Sequence, residues 1–263
     1  MAIGNNFELV CEIEPPTKPD LRHVRHQIGV LSPVAASFLI PDNHIGRATV
    51  SSVAVAHEVE SMGGRSIACV NARDRNLLGF QRDLLTAAAY GVDQFLFVYG
   101  DKPTCGARST ELTVRAMLEA TRAFECGPQL NGGTRFRLGA VAGIDSLPSW
   151  KRDADFLFVQ VSFGLEPLLR WRERFDPDSP VYAGVMVLAS QAHARRVSST
   201  IPDIEIPDEL VERLATDSNA GVEAACELTR AIDESGMFQG AHLVPVSRYR
   251  EVAARLEADY RRP

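Results

Sequence analysis

Eight short apolar runs recur at a steady interval along the chain, with longer polar stretches that suit helices between them. This beat limits the possible folds more than any other feature. The runs fall at 7–13, 34–40, 66–71, 94–99, 136–142, 155–161, 181–187 and 241–246. They are rich in Val, Ile, Leu and Phe and nearly continuous in hydrophobicity, which is how a strand buried on both faces of a parallel sheet reads. Helix-like stretches at 20–31, 49–62, 77–90, 109–124, 165–174, 191–198, 208–215, 220–235 and 247–260 separate and follow them. The third stretch ends at Gly91, a helix stop. The fourth opens on Ser109, Thr110 and Glu111, favourable N-terminal residues, and stops before Gly127-Pro128. Eight strands alternating with helices in 263 residues is the count of an α/β chain folded as one (β/α)8 barrel domain over 1–263. A doubly wound open sheet is the alternative. It would normally place a glycine-rich phosphate turn after its first strand, but Glu14-Pro15-Pro16 stands there and no G-x-G-x-x-G occurs anywhere.

One unit departs from the beat. Only twelve residues separate Ala142 from Asp155. A crossover with a full helix needs at least about 10–12 residues, and Pro148 restricts what can be helical. The fifth βα unit is therefore expected to be truncated to a turn or two.

Composition narrows the function classes. At 45% hydrophobic and 24% charged residues the chain can fill a core and is not disordered. A net charge of −6 argues against a nucleic acid as its main partner. No apolar run approaches the roughly 18 residues of a membrane span. The opening Met1-Ala-Ile-Gly-Asn-Asn-Phe has neither the basic nor the long apolar region of a signal peptide. A cytoplasmic protein without a membrane partner is expected, as a monomer or small homo-oligomer. Five cysteines with no C-x-x-C read as reduced thiols rather than a disulfide framework or a zinc site. His23 and His26 sit three apart in an Arg-rich polar stretch, which reads as a solvated helix face, so no metal is expected.

Barrel chemistry sits at the C-terminal ends of the strands. Glu12 is an acid inside an otherwise apolar strand, where burial raises a carboxyl pKa and suits a general acid. A strut paired with an arginine is its other reading. Gln160 is an amide in an apolar strand, placed either to bind a heterocycle or to bridge the barrel interior. Asp101 follows Gly100, which permits close backbone approach, although Gly-Asp-x-Pro is also turn chemistry. Arg73-Asp74-Arg75 reads as a solvated loop with internal ion pairs.

Taken together and in order, these segments resemble the methylenetetrahydrofolate reductase family. Glu12-Ile-Glu14-Pro15-Pro16 is similar to that family's first strand, Asn71-Ala72-Arg73-Asp74-Arg75-Asn76 to its T-C-R-D-R-N segment, and Tyr99-Gly100-Asp101-Lys102-Pro103 to its R-G-D-x-P turn. Phe158-Val159-Gln160-Val161-Ser162-Phe163 resembles its T-Q-F-x-F strand, and the segments from Pro180, Ile206 and Gly240 echo later ones. The resemblance implies a (β/α)8 barrel that reduces 5,10-methylenetetrahydrofolate to 5-methyltetrahydrofolate with a nicotinamide nucleotide. It makes Glu12 the acid that opens the imidazolidine ring. Asp101 and Gln160 become the residues that hold the pterin, and Gln191 stands at or near the position of the family's nicotinamide-stacking aromatic.

The departures are concerted. The family holds FAD with its fifth βα loop and helix, the segment that is short here. Its His before the T-C-R-D segment is replaced by Cys69, and its T-Y-G turn by Ile40-Pro41-Asp42. The pattern resembles the flavin-independent branch known from mycobacteria, which implies hydride transfer directly from NADH, named ahead of NADPH, with no FAD. The dinucleotide is then expected along the loops after strands 2 to 4, near Asp42, Asn43, Asn71 and Tyr99. A flavoenzyme with a trimmed FAD site and a non-catalytic folate-binding barrel remain the alternatives.

Overall fold

The computed structural model describes residues 7–130, 133–201 and 204–262, and the N-terminal hexapeptide read above for a targeting signal lies outside them. The apolar runs become eight strands: β1 Glu8–Glu12, β2 Ser37–Ile40, β3 Ser66–Asn71, β4 Gln94–Val98, β5 Arg137–Ala142, β6 Phe156–Ser162, β7 Val181–Met186 and β8 Gly240–Val244. Each pairs in parallel with the next, and β8 returns to β1 with Val10 opposite His242, so the sheet is a closed barrel. Closure leaves no open edge, and burial on both faces explains the continuous hydrophobicity of the runs. Among the described residues three apolar clusters form. The smallest joins Leu188, Ala194, Val197, Leu210 and Leu214 beside the helices Gln191–Thr200 and Asp208–Thr216, and the two larger ones belong to the barrel itself. One fills the barrel interior with side chains such as Val10, Leu39, Cys69, Leu96 and Phe158. The other lies between the sheet and its helices. The chain has the α/β architecture of a TIM barrel.

The helices are α1 Arg22–Leu31, α2 Ser52–Ser61, α3 Leu77–Ala89, α4 Val114–Glu125, α5 Leu165–Phe175, α6 Gln191–Thr200, α7 Asp208–Thr216, α8 Ala220–Ser235 and α9 Tyr249–Tyr260. Asn76 caps α3 by accepting from Gly79 N, and Ser190 caps α6 by accepting from His193 N. The expected start of α4 needs correction. Its cap is Thr113, which accepts from Ala116 N. Ser109 is instead held outside the helix by its N–H bond to Arg73 O. Buried Leu112 lies in the lead-in segment. The fifth unit is short, as the spacing predicts. Between β5 and β6 the chain makes no α-helix, only a turn closed by a bridge between Gly143 and Ser146 and a 3-10 turn at Ser149–Asp153. His23 and His26 are exposed on α1, as expected of a solvated face, with their rings 5.9 Å edge-on to Tyr249 of α9.

Candidate active site

The C-terminal strand ends open into a cavity of about 660 Å³. Glu12, Asp101 and Gln160 all line it, although they come from β1, the loop after β4, and β6. Each is placed by a local feature of its own strand.

Side chains alternate along β1, so Glu8, Val10 and Glu12 share the face toward the barrel interior. Glu12 is the last residue of the strand, and its side chain is 21% exposed into the cavity. It is therefore not sealed among its apolar neighbours, and among the described residues no arginine pairs with it as a strut. Its charged neighbour is His242 of β8, whose Nε2 lies 3.3 Å from Glu12 Oε2. The two are close but poorly aligned, and the buried Nε2 has no hydrogen-bond partner. The His242 ring is wedged edge-on against Phe158 at 5.1 Å.

Gln160 sits on a bulge. The β6–β7 register shifts between Val159 and Val161, leaving Gln160 as the extra residue. Its Oε1 accepts a 3.3 Å bond from Val161 N. Gly184 of β7 makes the bulge possible, because a Cβ there would stand 2.7 Å from Val159 O. Asp101 follows Gly100, which adopts φ +87° beneath the Asn71 side chain. Asp101 Oδ2 accepts from Ile45 N at 2.9 Å, which ties the loop after β4 to the loop after β2.

The four residues expected at the dinucleotide are placed differently. Asp42 and Asn71 are buried and bonded to one another: Asn71 N and Nδ2 donate to Asp42 Oδ2 at 3.0 and 2.9 Å. Arg75 completes the group with a 2.7 Å ion pair to Asp42. Burial raises the Asp42 pKa despite Arg75 and the Asn71 bonds, which act the other way. Asn43 and Asn71 both donate to Asp74 at 2.8 Å. These bonds brace the mouth from within. The internal ion pairs expected within 73–75 do not form among the described residues: Arg75 pairs instead with Asp42 and Asp83 and is only 14% exposed rather than solvated. Tyr99 is 43% exposed on the rim, with the Arg73 and Arg108 guanidinium carbons 4.4 and 4.9 Å from its ring centroid. Only Asp42 of these four lines the cavity. Gln191 turns away, donating to Val211 O at 3.4 Å and accepting from Arg195 at 3.2 Å.

Residues not singled out as candidates also face the cavity. From α6 these are His193 and Arg196. Burial and then Arg196 hold the His193 pKa below its usual value. Its Nδ1 accepts from Ala189 N at 3.2 Å, so the neutral ring keeps its proton on Nε2. At the rim, Ile45 and Val246 adopt φ of 59° and 53° and are 58% and 38% exposed. A β-branched residue in that region is strained, and such strain clusters at ligand clamps. Cys69 lies on the floor. Burial first, and then Glu12 and Asp42, push its thiol well up, so it offers no thiolate. All five cysteines are free, and among the described residues no group of three or more His, Cys, Asp or Glu is arranged to hold a metal ion. No helix of the described residues is long and apolar enough to cross a membrane.

A TIM barrel with an acid, an aspartate and an amide converging at its C-terminal mouth is the class that fold and cavity define. No family model and no curated protein matches the chain. Among solved structures it is similar to a protein from Clostridium thermocellum that binds two copies of 5-methyl-5,6,7,8-tetrahydrofolic acid, at 14% identity over 96% of each chain with a TM-score of 0.68. It is also similar to the EDTA monooxygenase of Chelativorans sp. BNC1, at 8% identity over 98% of this chain and 95% of that one, with a TM-score of 0.54. At such identities these likenesses establish the barrel and leave the chemistry to the site.

Proposed function

We propose that the barrel mouth binds a reduced folate and reduces 5,10-methylenetetrahydrofolate to 5-methyltetrahydrofolate by direct hydride transfer from NADH. The observation that carries this reading is the convergence of Glu12, Asp101 and Gln160 in one cavity. They are the three residues that the resemblance assigns to the folate. The fold shared with the Clostridium thermocellum protein, which binds methyltetrahydrofolate, supports the ligand class.

In this reading Gln160 and Asp101 pair with the polar edge of the pterin. Glu12 delivers a proton to N10, the C–N10 bond breaks, and the methylene carbon remains as an iminium on N5. Hydride from the dihydronicotinamide then adds to that carbon, giving the methyl product and NAD+. His242, 3.3 Å from Glu12, is the titratable neighbour through which the acid regains its proton. The transfer needs both reactants bound together with reacting carbons about 3–3.5 Å apart. The short fifth unit supports a flavin-free route, because the segment that the resemblance assigns to FAD is reduced to a 3-10 turn.

The test is an NADH-oxidation assay with methylenetetrahydrofolate on purified protein, together with its absorbance spectrum. Intersecting initial-rate lines and no flavin bands are expected. Parallel lines, or activity only with added FAD, would return the chain to the flavoenzyme reading. Folate binding without turnover would make it a binding protein.

A further inference from the structure

At the rim of the mouth, two arginines share one aromatic ring and have no counter-charge among the described residues. The Arg73 and Arg108 guanidinium carbons lie 4.4 and 4.9 Å from the centroid of Tyr99. Among the described residues neither makes an ion pair, and Arg73 Nε is buried without a hydrogen-bond partner. Carboxylates nearby in sequence are engaged elsewhere. Asp74 accepts from Asn43 and Asn71, Glu111 accepts from Leu77 N, and Asp101 accepts from Ile45 N. Arg75, by contrast, is neutralised by Asp42 and Asp83.

Holding two like charges on one ring is unfavourable unless something offsets it. Cation–π attraction to Tyr99 offsets part. The backbone fixes the arrangement, since Ser109 N donates to Arg73 O and Thr104 donates to Gly46 O through both N and Oγ1. The arginines are thus fixed beside Gly100-Asp101, where β4 enters the cavity. Paired guanidinium groups with free donors are suited to a multiply charged oxyanion, which they can hold by several charge-assisted bonds.

We infer that Arg73 and Arg108, braced by Tyr99, form an oxyanion site at the entrance of the cavity that holds the charged end of a substrate. The chemistry fits two sources, the phosphates of a dinucleotide and the carboxylates of a folate's glutamate tail. Naming those sources rests on the function proposed above, whereas the anion site itself does not.

Titration calorimetry with inorganic pyrophosphate tests the site without reference to activity. Wild-type protein should bind it, more weakly as salt rises. Arg73→Gln with Arg108→Gln should lower the affinity at least about tenfold, since charge-assisted bonds are lost. Arg108→Gln alone, at an exposed position, should weaken it while leaving the melting temperature unchanged. ADP-ribose and a triglutamate peptide then separate the sources, because the double variant should lose affinity for one and not the other. If the double variant binds pyrophosphate, ADP-ribose and triglutamate as wild type does, the inference is overturned. If the site binds pyrophosphate but the protein shows no turnover, the inference stands and the proposed reaction fails.

Discussion

The two ends of β1 carry the same residue type in opposite circumstances. Glu8 and Glu12 are four residues apart on the same face of the strand, both pointing into the barrel. At the N-terminal end, Glu8 Oε2 accepts from Tyr182 Oη at 2.6 Å. Burial and then that bond push the tyrosine pKa up, so the hydroxyl stays a donor. Its cavity is only about 210 Å³. At the C-terminal end, Glu12 faces a space of about 660 Å³ and an imidazole that lies near it without bonding to it. A buried polar group with its partner in place stabilises a fold, whereas one left incomplete is available to a ligand or a proton. The lower carboxylate is structural by this criterion, and the upper one is placed for chemistry.

The largest expected effect breaks the comparison if it fails. Glu12→Gln should cut turnover at least about 100-fold, the usual scale for losing a general acid. Folate affinity, measured by titration, should change far less, since Gln is nearly isosteric. Near-normal turnover would place Glu12 with Glu8 as a structural group. Next come Asp101→Ala and Gln160→Ala. Each should weaken folate binding by about tenfold, the scale of a pterin group left unpaired at about 1–3 kcal/mol. Unchanged folate affinity in both would remove the pterin assignment.

The lower end is sharpened by Tyr182→Phe. Denaturant unfolding should register a loss of about 1–2 kcal/mol, because the Glu8 carboxylate loses a donor. Turnover by the folded variant should not move. The smallest effect concerns Asp42, a mouth residue held by internal bonds. Its folded pKa is raised above the ordinary aspartate value of 3.8. The native state therefore holds this proton to higher pH than the unfolded chain does, and the contribution of Asp42 to stability falls as pH rises above about that value. The difference in unfolding free energy between wild type and Asp42→Asn should follow that slope. A difference that is flat or rises with pH would assign the network another electrostatic balance.

The strand positions were legible because parallel barrel strands are buried on both faces and so read as unbroken apolar runs. The truncated unit was legible from spacing alone. Glu12 and Gln160 stood out because each is polar in an apolar strand. His242 carries the same signal, a polar residue in the apolar segment Ala241-His242-Leu243, but was not singled out as a candidate, and nothing local marks its partner. Asn71 and Asp42 looked like ligand-binding groups because they stand at strand ends. Their bonds to each other and to Arg75 depend on how adjacent loops meet, which no single segment encodes.

The chain by itself determined the repeating units, the missing fifth helix and the polar residues at the strand ends, because these follow from local hydrophobic patterning and segment length. Tertiary structure decided which of those polar groups are left incomplete. Closure of β8 onto β1 sets Val10 opposite His242, 232 residues later in sequence, and so brings an imidazole to Glu12. Packing of the loops after β2, β3 and β4 satisfied Asp42 and Asn71 and left Arg73 and Arg108 without a counter-charge among the described residues. Partner satisfaction is a property of the whole fold, because distant segments supply the donors, acceptors and charges.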